Sequence, residues 1–164
     1  MAVDMFLKLT PIKGESKDSK HKDEIDVLSW SWGASNTGSA QSGGGGGAGK
    51  VNAQDMSITK YVELASPPMW LAVHNGKHFD EAILYVRKAG ETPLEYLTIS
   101  MKKVFVTSIT TGGSGGDDRP TENVTLNFAA VKIEYKEQTD TGASGVTGTM
   151  QYSYAHGKDE YSAT

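Results

Sequence analysis

No cysteine occurs among the 164 residues, which excludes disulfides, thiolate metal sites and cysteine nucleophiles together. An excess of one charge is missing too: 16 Lys and Arg stand against 20 Asp and Glu, spread evenly along the chain. Without a basic stripe or an acidic tail, neither nucleic acid nor a membrane surface has an electrostatic claim on it. The apolar runs fall far short of the ~20 residues that a membrane helix needs, so membrane insertion is not expected. The opening residues, Met1-Ala2-Val3-Asp4-Met5, carry no basic n-region and no apolar h-region, so a Sec-type signal peptide is not expected either. The expectation is a cytoplasmic address, or export by a route that reads no cleavable signal.

What the chain has in abundance is glycine, at 19 residues, and it is clumped. Gly43 to Gly47 with Gly49 form one clump, Gly112 to Gly116 a second, and Gly142, Gly145 and Gly148 a third. Such clumps are costly inside regular elements and mark loops. Between them apolar residues alternate. Val3, Met5, Leu7 and Leu9 read as one face of a strand, and further strands are expected at 54–61, 82–89 and 148–154. Residues 13–24 read as a solvated, mixed-charge connection.

In three places the period of two slips by one residue. Ile25 and Val27 give way to Leu28, Trp30 and Trp32; Leu97, Ile99 and Met101 to Val104 and Val106; Val124, Leu126 and Phe128 to Val131, Ile133 and Tyr135. A slip marks a bulge or a bend. Segments 94–109 and 122–136 would each span ~50 Å if straight, too long for one domain of this size, so they are expected to turn a corner. One helix is expected from Ser66 (N-cap) and Pro67 to Gly76, packing Met69, Trp70 and Val73 against strands. The fold class is all-β with one short helix: about eight bent strands in a β-barrel of two packed sheets, the helix on its flank. Trp30, Trp32, Phe105 and Phe128 are expected to fill the core, and residues 1–164 to form a single domain with a protruding loop at 38–52.

Catalytic motifs do not hold together. Gly44 to Lys50 spells the phosphate-loop string G-x-x-x-x-G-K, but Val51 stands where Ser or Thr should hold magnesium, and a strand follows where a helix is required. Ser114 sits in G-x-S-x-G between two strands, without a histidine that can be placed near it. The same stretch opens a calcium-binding nonapeptide pattern that never repeats. His74 and His78 have the spacing of paired ligands, yet Gly76 interrupts them and a tetrahedral shell has no other obvious members. No acid–base constellation assembles, so no enzyme activity, cofactor or metal is expected.

Several long strings resemble one family. Gly14-Glu15-Ser16-Lys17-Asp18 followed by His21, then Ile25 through Gly33, are similar to the hemolysin-coregulated protein (Hcp) family, the tube protein of type VI secretion systems. So are Gly43 to Val51, Gly76-Lys77-His78, Arg87-Lys88-Ala89-Gly90, Glu95-Tyr96-Leu97, Val106-Thr107-Ser108 and Thr121 to Phe128. The resemblance spans roughly residues 1–136. It implies a bent β-barrel with a flanking helix, assembled as a homohexameric ring. Rings would stack into a hollow tube inside a contractile sheath, be ejected with a spike of the valine-glycine repeat (VgrG) family, and carry small effector proteins. It also implies secretion without a cleaved signal.

The residues themselves suit such a role. A ring needs one contact repeated until it closes, and no chemistry. Gly43, Gly44, Gly45, Gly46, Gly47, Gly49 and Lys50 are expected to reach the next subunit or ring. If Trp30 and Trp32 point inward, Ser29 and Ser31 point out and are expected to line the lumen. The alternative is a monomeric β-barrel that binds a small ligand in its mouth. Calorimetry with ATP is expected to register no binding; heat that disappears in Lys50→Ala would restore the phosphate-loop reading.

Overall fold

The longest alternating run becomes a single strand, and the rest of the sheet is arranged around it. The structure, a computed structural model, describes residues 2–38, 48–90, 93–141 and 144–164; Gly43 to Gly47 and Gly142 lie outside them. Among the described residues the strands are β1 (Val3–Leu9), β2 (Ile25–Asp26), β3 (Ser29–Ser31), β4 (Ala34–Gly38), β5 (Ala48–Ala53), β6 (Met56–Tyr61), β7 (His78–Lys88), β8 (Leu94–Gly112), β9 (Thr121–Asn127), β10 (Ala130–Gln138) and β11 (Ser144–Ser153). The helix α1 (Ser66–Asn75) lies between β6 and β7.

Strand β8 runs for 19 residues and pairs with β7 along most of its length. On its other edge it pairs first with β10, through residues 97–102, and then with β9, through residues 105–112. The changeover falls at Lys103, whose φ of 53° is left-handed. A bulge-like residue of this kind bends a strand and raises its twist. Here it sits at the slip between Met101 and Val104, and both of those side chains stay fully buried. The matching segment 122–136 does not bend as one strand. It breaks at Phe128 and Ala129 into β9 and β10, and the Ala129 amide donates to the Lys102 carbonyl at 2.9 Å.

The third slip is also a corner. Val27 donates its amide to Met5 on β1, and the next residue, Leu28, donates to Thr59 on β6, at 3.0 and 2.8 Å. Neighbouring peptides thus serve opposite ends of the sheet, whose order is β2-β1-β7-β8-β9-β6-β3, with β10 and β11 branching from β8. The ladder is open, not a hydrogen-bonded barrel; the chain through 27–28 spans the gap covalently. Leu28, expected inside, is exposed because the corner turns it outward. The second sheet is the two-stranded ribbon β4–β5.

Leu7, Ile58, Met101, Val104, Leu126 and Val131 form the centre of the core. Phe128 is buried, whereas Trp30 and Trp32 are half-buried against the core rim. Phe105, expected to fill the core, lies on the outer face, its ring 3.7 Å from that of His78. Alternation requires this once Val104 and Val106 point inward. Tyr135 is likewise exposed. The folded chain exposes 9708 Å², about a fifth more than the ~7,900 Å² expected for a compact monomer of its mass.

Helix α1 ends as the sequence suggests, with Gly76 at φ 68° and its amide on the Ala72 carbonyl at 3.0 Å. Its start differs: Ala65 occupies the cap and Ser66 is the first helical residue. The Ser66 hydroxyl is engaged elsewhere. It accepts from Lys60 Nζ at 3.0 Å and donates to Glu122 Oε1 at 2.5 Å. Lys60 and Glu122 are both 0% exposed and form a close ion pair. Lys60 also donates to the Tyr61 carbonyl, and Trp70 Nε1 donates to Glu122 Oε2 at 3.3 Å, so the helix is tied to β6 and β9 by one satisfied polar network. Removing one member of a buried pair strands the other charge. Glu122→Ala is therefore expected to lower stability by roughly 3–5 kcal/mol, and Lys60→Met with Glu122→Leu by much less. Urea denaturation midpoints check this; equal losses in the two variants would contradict it.

Candidate functional site

The alternation that builds the core also builds its reverse side. Ser29 and Ser31 on β3 pair with Thr59 and Ser57 on β6. Those pair in turn with Asn123 and Thr125 on β9, and Thr125 with Ser108 on β8. Each of these residues alternates with a buried or half-buried apolar neighbour, with Lys60 and Glu122 the polar exceptions at one end. Across four strands the outer face is thus made of short side chains rich in hydroxyls, with the Asp55 carboxylate at its Met56↔Leu126 end. Its side chains are cross-linked: Thr59 Oγ1 donates to Asn123 Oδ1 at 2.7 Å, and Ser108 and Thr125 hydroxyls lie 2.6 Å apart. Thr107 is the extra residue of a bulge, and its hydroxyl donates to Asp55 at 2.7 Å. Asn127 Nδ2 donates to the other Asp55 oxygen at 2.9 Å.

The structure leaves Ser29 and Ser31 exposed, as expected from the tryptophans beside them. Sequence reasoning did not extend the face to Ser57, Thr59, Asn123 and Thr125. The signal was present, because these residues alternate with Met56, Ile58, Val124 and Leu126.

Beyond β3 the chain leaves the body as the β4–β5 ribbon. Its register runs from Ala34↔Ala53 to Gly38↔Ala48, and every residue of β4 is exposed. The predicted loop 38–52 is therefore partly strand: Gly49 and Lys50 belong to β5. The root is fixed by the Gln54 amide on the Gly33 carbonyl and by Trp32 Nε1 on the Gln54 carbonyl, both at 2.8 Å. A two-stranded ribbon is marginal in water without a partner.

The catalytic strings come to rest in strands and turns. Lys50 lies within β5, so no helix N-terminus follows it. Ser114 is at the β8–β9 hairpin tip and donates to Asp117 at 3.0 Å. His74 Nδ1 bonds the Trp70 carbonyl at 2.7 Å while the His78 ring packs, tilted by 54°, against Phe105, so the two rings have separate occupations. Among the described residues no three His, Asp or Glu side chains gather as metal ligands.

Loop 13–24 corrects the expectation of a solvated connection. Ser16 and His21 within it are 1% and 4% exposed. The His21 ring lies between Phe6 and Tyr85, with Nδ1 2.8 Å from Glu24 and Nε2 in close contact with Glu95. Asp18 accepts from both Arg87 amino groups, at 3.1 and 2.5 Å, and Arg87 also reaches Asp4 at 3.1 Å. The Arg87 hydrogen bonds, followed by that from the Lys20 amide, hold the Asp18 carboxyl well below the usual carboxylate range. Burial pushes Glu24, Asp26 and Glu63 upward, and pushes the Tyr85 hydroxyl up to about 12. These contacts explain why Gly14, whose Cβ would lie 2.5 Å from the Glu24 carbonyl oxygen, must be glycine.

The family model described as "Type VI secretion system effector, Hcp" matches residues 6–135. The curated "Protein hcp1" of Pseudomonas aeruginosa is 56% identical over 155 residues, covering 94% of this chain and 95% of that protein. A solved structure described as that of a type six secretion system protein superposes with a TM-score of 0.91 at 31% identity, covering 97% of this chain and all of the other. Hcp1 from Salmonella typhimurium superposes with a TM-score of 0.80 at 36% identity, covering 98% of this chain and 100% of that one.

The Asp18 clasp carries a pH signature. A carboxyl held low in the folded state adds stability that is complete above ~pH 4 and is lost as pH falls from there toward the folded value. Glu24, Asp26 and Glu63, raised mainly by burial, act in the opposite sense and are retained when Asp18 is replaced. Between ~pH 4 and ~pH 2 the wild type is expected to lose stability more steeply than Asp18→Asn. Parallel acid-unfolding curves would sever the link between this carboxyl and the fold.

Proposed function

The chain belongs to the Hcp family of type VI secretion system proteins, and we propose that it is the structural subunit of a secreted tube, active through its shape. Six copies close into a ring, and rings stack into a hollow tube that a contractile sheath drives outward behind a VgrG-type spike. The tube is assembled in the cytoplasm and leaves the cell without a cleaved signal. It carries small effector proteins in its lumen and makes or breaks no covalent bond.

The observation that carries this reading is the four-strand hydroxyl face of β3, β6, β9 and β8. A wall of Ser, Thr and Asn can exchange hydrogen bonds with many partners, each worth ~1 kcal/mol net, and its Asp55 carboxylate is already engaged by Thr107 and Asn127. That suits a lumen through which different cargoes pass. Behind it, the core is filled by Met56, Ile58, Val124 and Leu126, so the fold itself is spent on rigidity. The ribbon, exposed and marginal alone, has the length and placement to bridge copies, with Gly43, Gly44, Gly45, Gly46, Gly47 and Gly49 joining Lys50 in that contact.

Sedimentation and negative-stain imaging test the reading: the expected particle has six times the protomer mass and an open centre. A single protomer at every concentration would favour the monomeric binding module instead. Within the ring, Ser57→Lys is expected to change stability by no more than ~0.5 kcal/mol and to reduce co-purification of effector. Unchanged effector recovery would move the lumen to another face.

A further inference from the structure

Between the β4–β5 ribbon and β11 runs a groove of about 800 Å³. Its walls are mainly apolar, with Trp32 and Val51 on the ribbon side and Met150, Tyr152 and Tyr154 opposite. The shape is fixed by contacts already in place. Trp32 is held through its indole N–H, and the rings of Trp32, Phe128, Tyr154 and Tyr152 follow one another at 5.8, 6.2 and 5.3 Å. Met150 is nevertheless 44% exposed. Preformed aromatic concavities of this kind are where binding energy concentrates when a partner covers them.

A second apolar surface stands at the far end of the same ladder. Leu64 and Leu71, beside and on α1, are 69% and 62% exposed, with Pro67 and Pro68 exposed between them. The Val62 amide on the Pro120 carbonyl places this edge at the Tyr61↔Thr121 end of β6–β9. Gln54 and Phe128, at the root of the groove, mark the Met56↔Leu126 end. Five residue steps, about 17 Å of extended chain, separate the two ends. A rigid ladder keeps them apart within one copy; two copies can bring them together.

Copies that close into a ring use two unlike surfaces that fit each other. Here one is a groove lined by aromatics, the other an exposed aliphatic surface. The groove is lined by one charge of each sign, Lys50 and Asp159, and Lys50, exposed on the ribbon side, is the group that can meet a carboxylate of the other copy. Glu15, exposed, accepts the Leu64 amide at 3.3 Å and so flanks the other surface.

We propose that the groove between the ribbon and β11 receives Leu64 and Leu71 of a second copy, with Lys50 set against that copy's Glu15. The inference rests on the self-assembly reading and names the two surfaces that meet. Because the chain has no cysteine, Leu71→Cys combined with Met150→Cys gives a clean test by mild oxidation and non-reducing electrophoresis. The expected result is a ladder of cross-linked multimers, absent from either single variant beyond a dimer. Assembly at full mass with only the protomer band would overturn the groove pairing and leave the ring intact. A wild type that never assembles would overturn both. As a second measurement, Leu71→Asp is expected to raise the concentration of half-assembly by about tenfold or more with an unchanged circular dichroism spectrum. Assembly as tight as wild type would count against the pairing.

Discussion

One constraint governs this molecule: a strand of 19 residues has to serve two different ladders without leaving the sheet. The left-handed residue at Lys103 solves it. Because β8 turns there, β10 can lie along its first half and β9 along its second, and both keep their apolar side chains on the inside. The same turn sets the phase of everything after it. Val104 and Val106 point inward, so Phe105 and Thr107 point out, and through Ser108 the strand joins β9, β6 and β3 in presenting hydroxyls on one continuous face. Core and candidate lumen wall are thus two sides of one register.

Around that frame, polar contacts between residues distant in sequence hold the pieces that periodicity leaves free. Lys60 and Glu122, 62 residues apart, tie α1 to the sheet. Arg87 and Asp18, 69 apart, and His21 and Glu95, 74 apart, pin loop 13–24 across β1, β7 and β8. These links define how the helix and loop sit without adding apolar area.

What could be read from the chain follows from this division. Strands β1, β6, β8 and β9, the end of α1 at Gly76 and all three corners were visible as alternation and its slips, since local geometry writes them into neighbouring residues. Ser29 and Ser31 were visible for the same reason. Closure of the sheet was not: whether the ends of an open ladder meet depends on long-range pairing, and here the chain at Val27–Leu28 crosses the gap. Nor could a scan of charges distinguish Lys60, fully buried, from Lys103, which is exposed, or show that His21 has two carboxylate partners. The size of Phe105 suggests the core, but its phase, opposite to that of Val104 and Val106, puts it outside. The Ser66 hydroxyl suits a cap, but Lys60 and Glu122 engage it.

The free ribbon has a further consequence. Both strands of β4–β5 present backbone amides and carbonyls along edges that the parent sheet does not cover. Uncovered edges template pairing with any extended chain that arrives, including misfolded neighbours. A partner that covers those edges would therefore also shield a single copy from edge-to-edge aggregation.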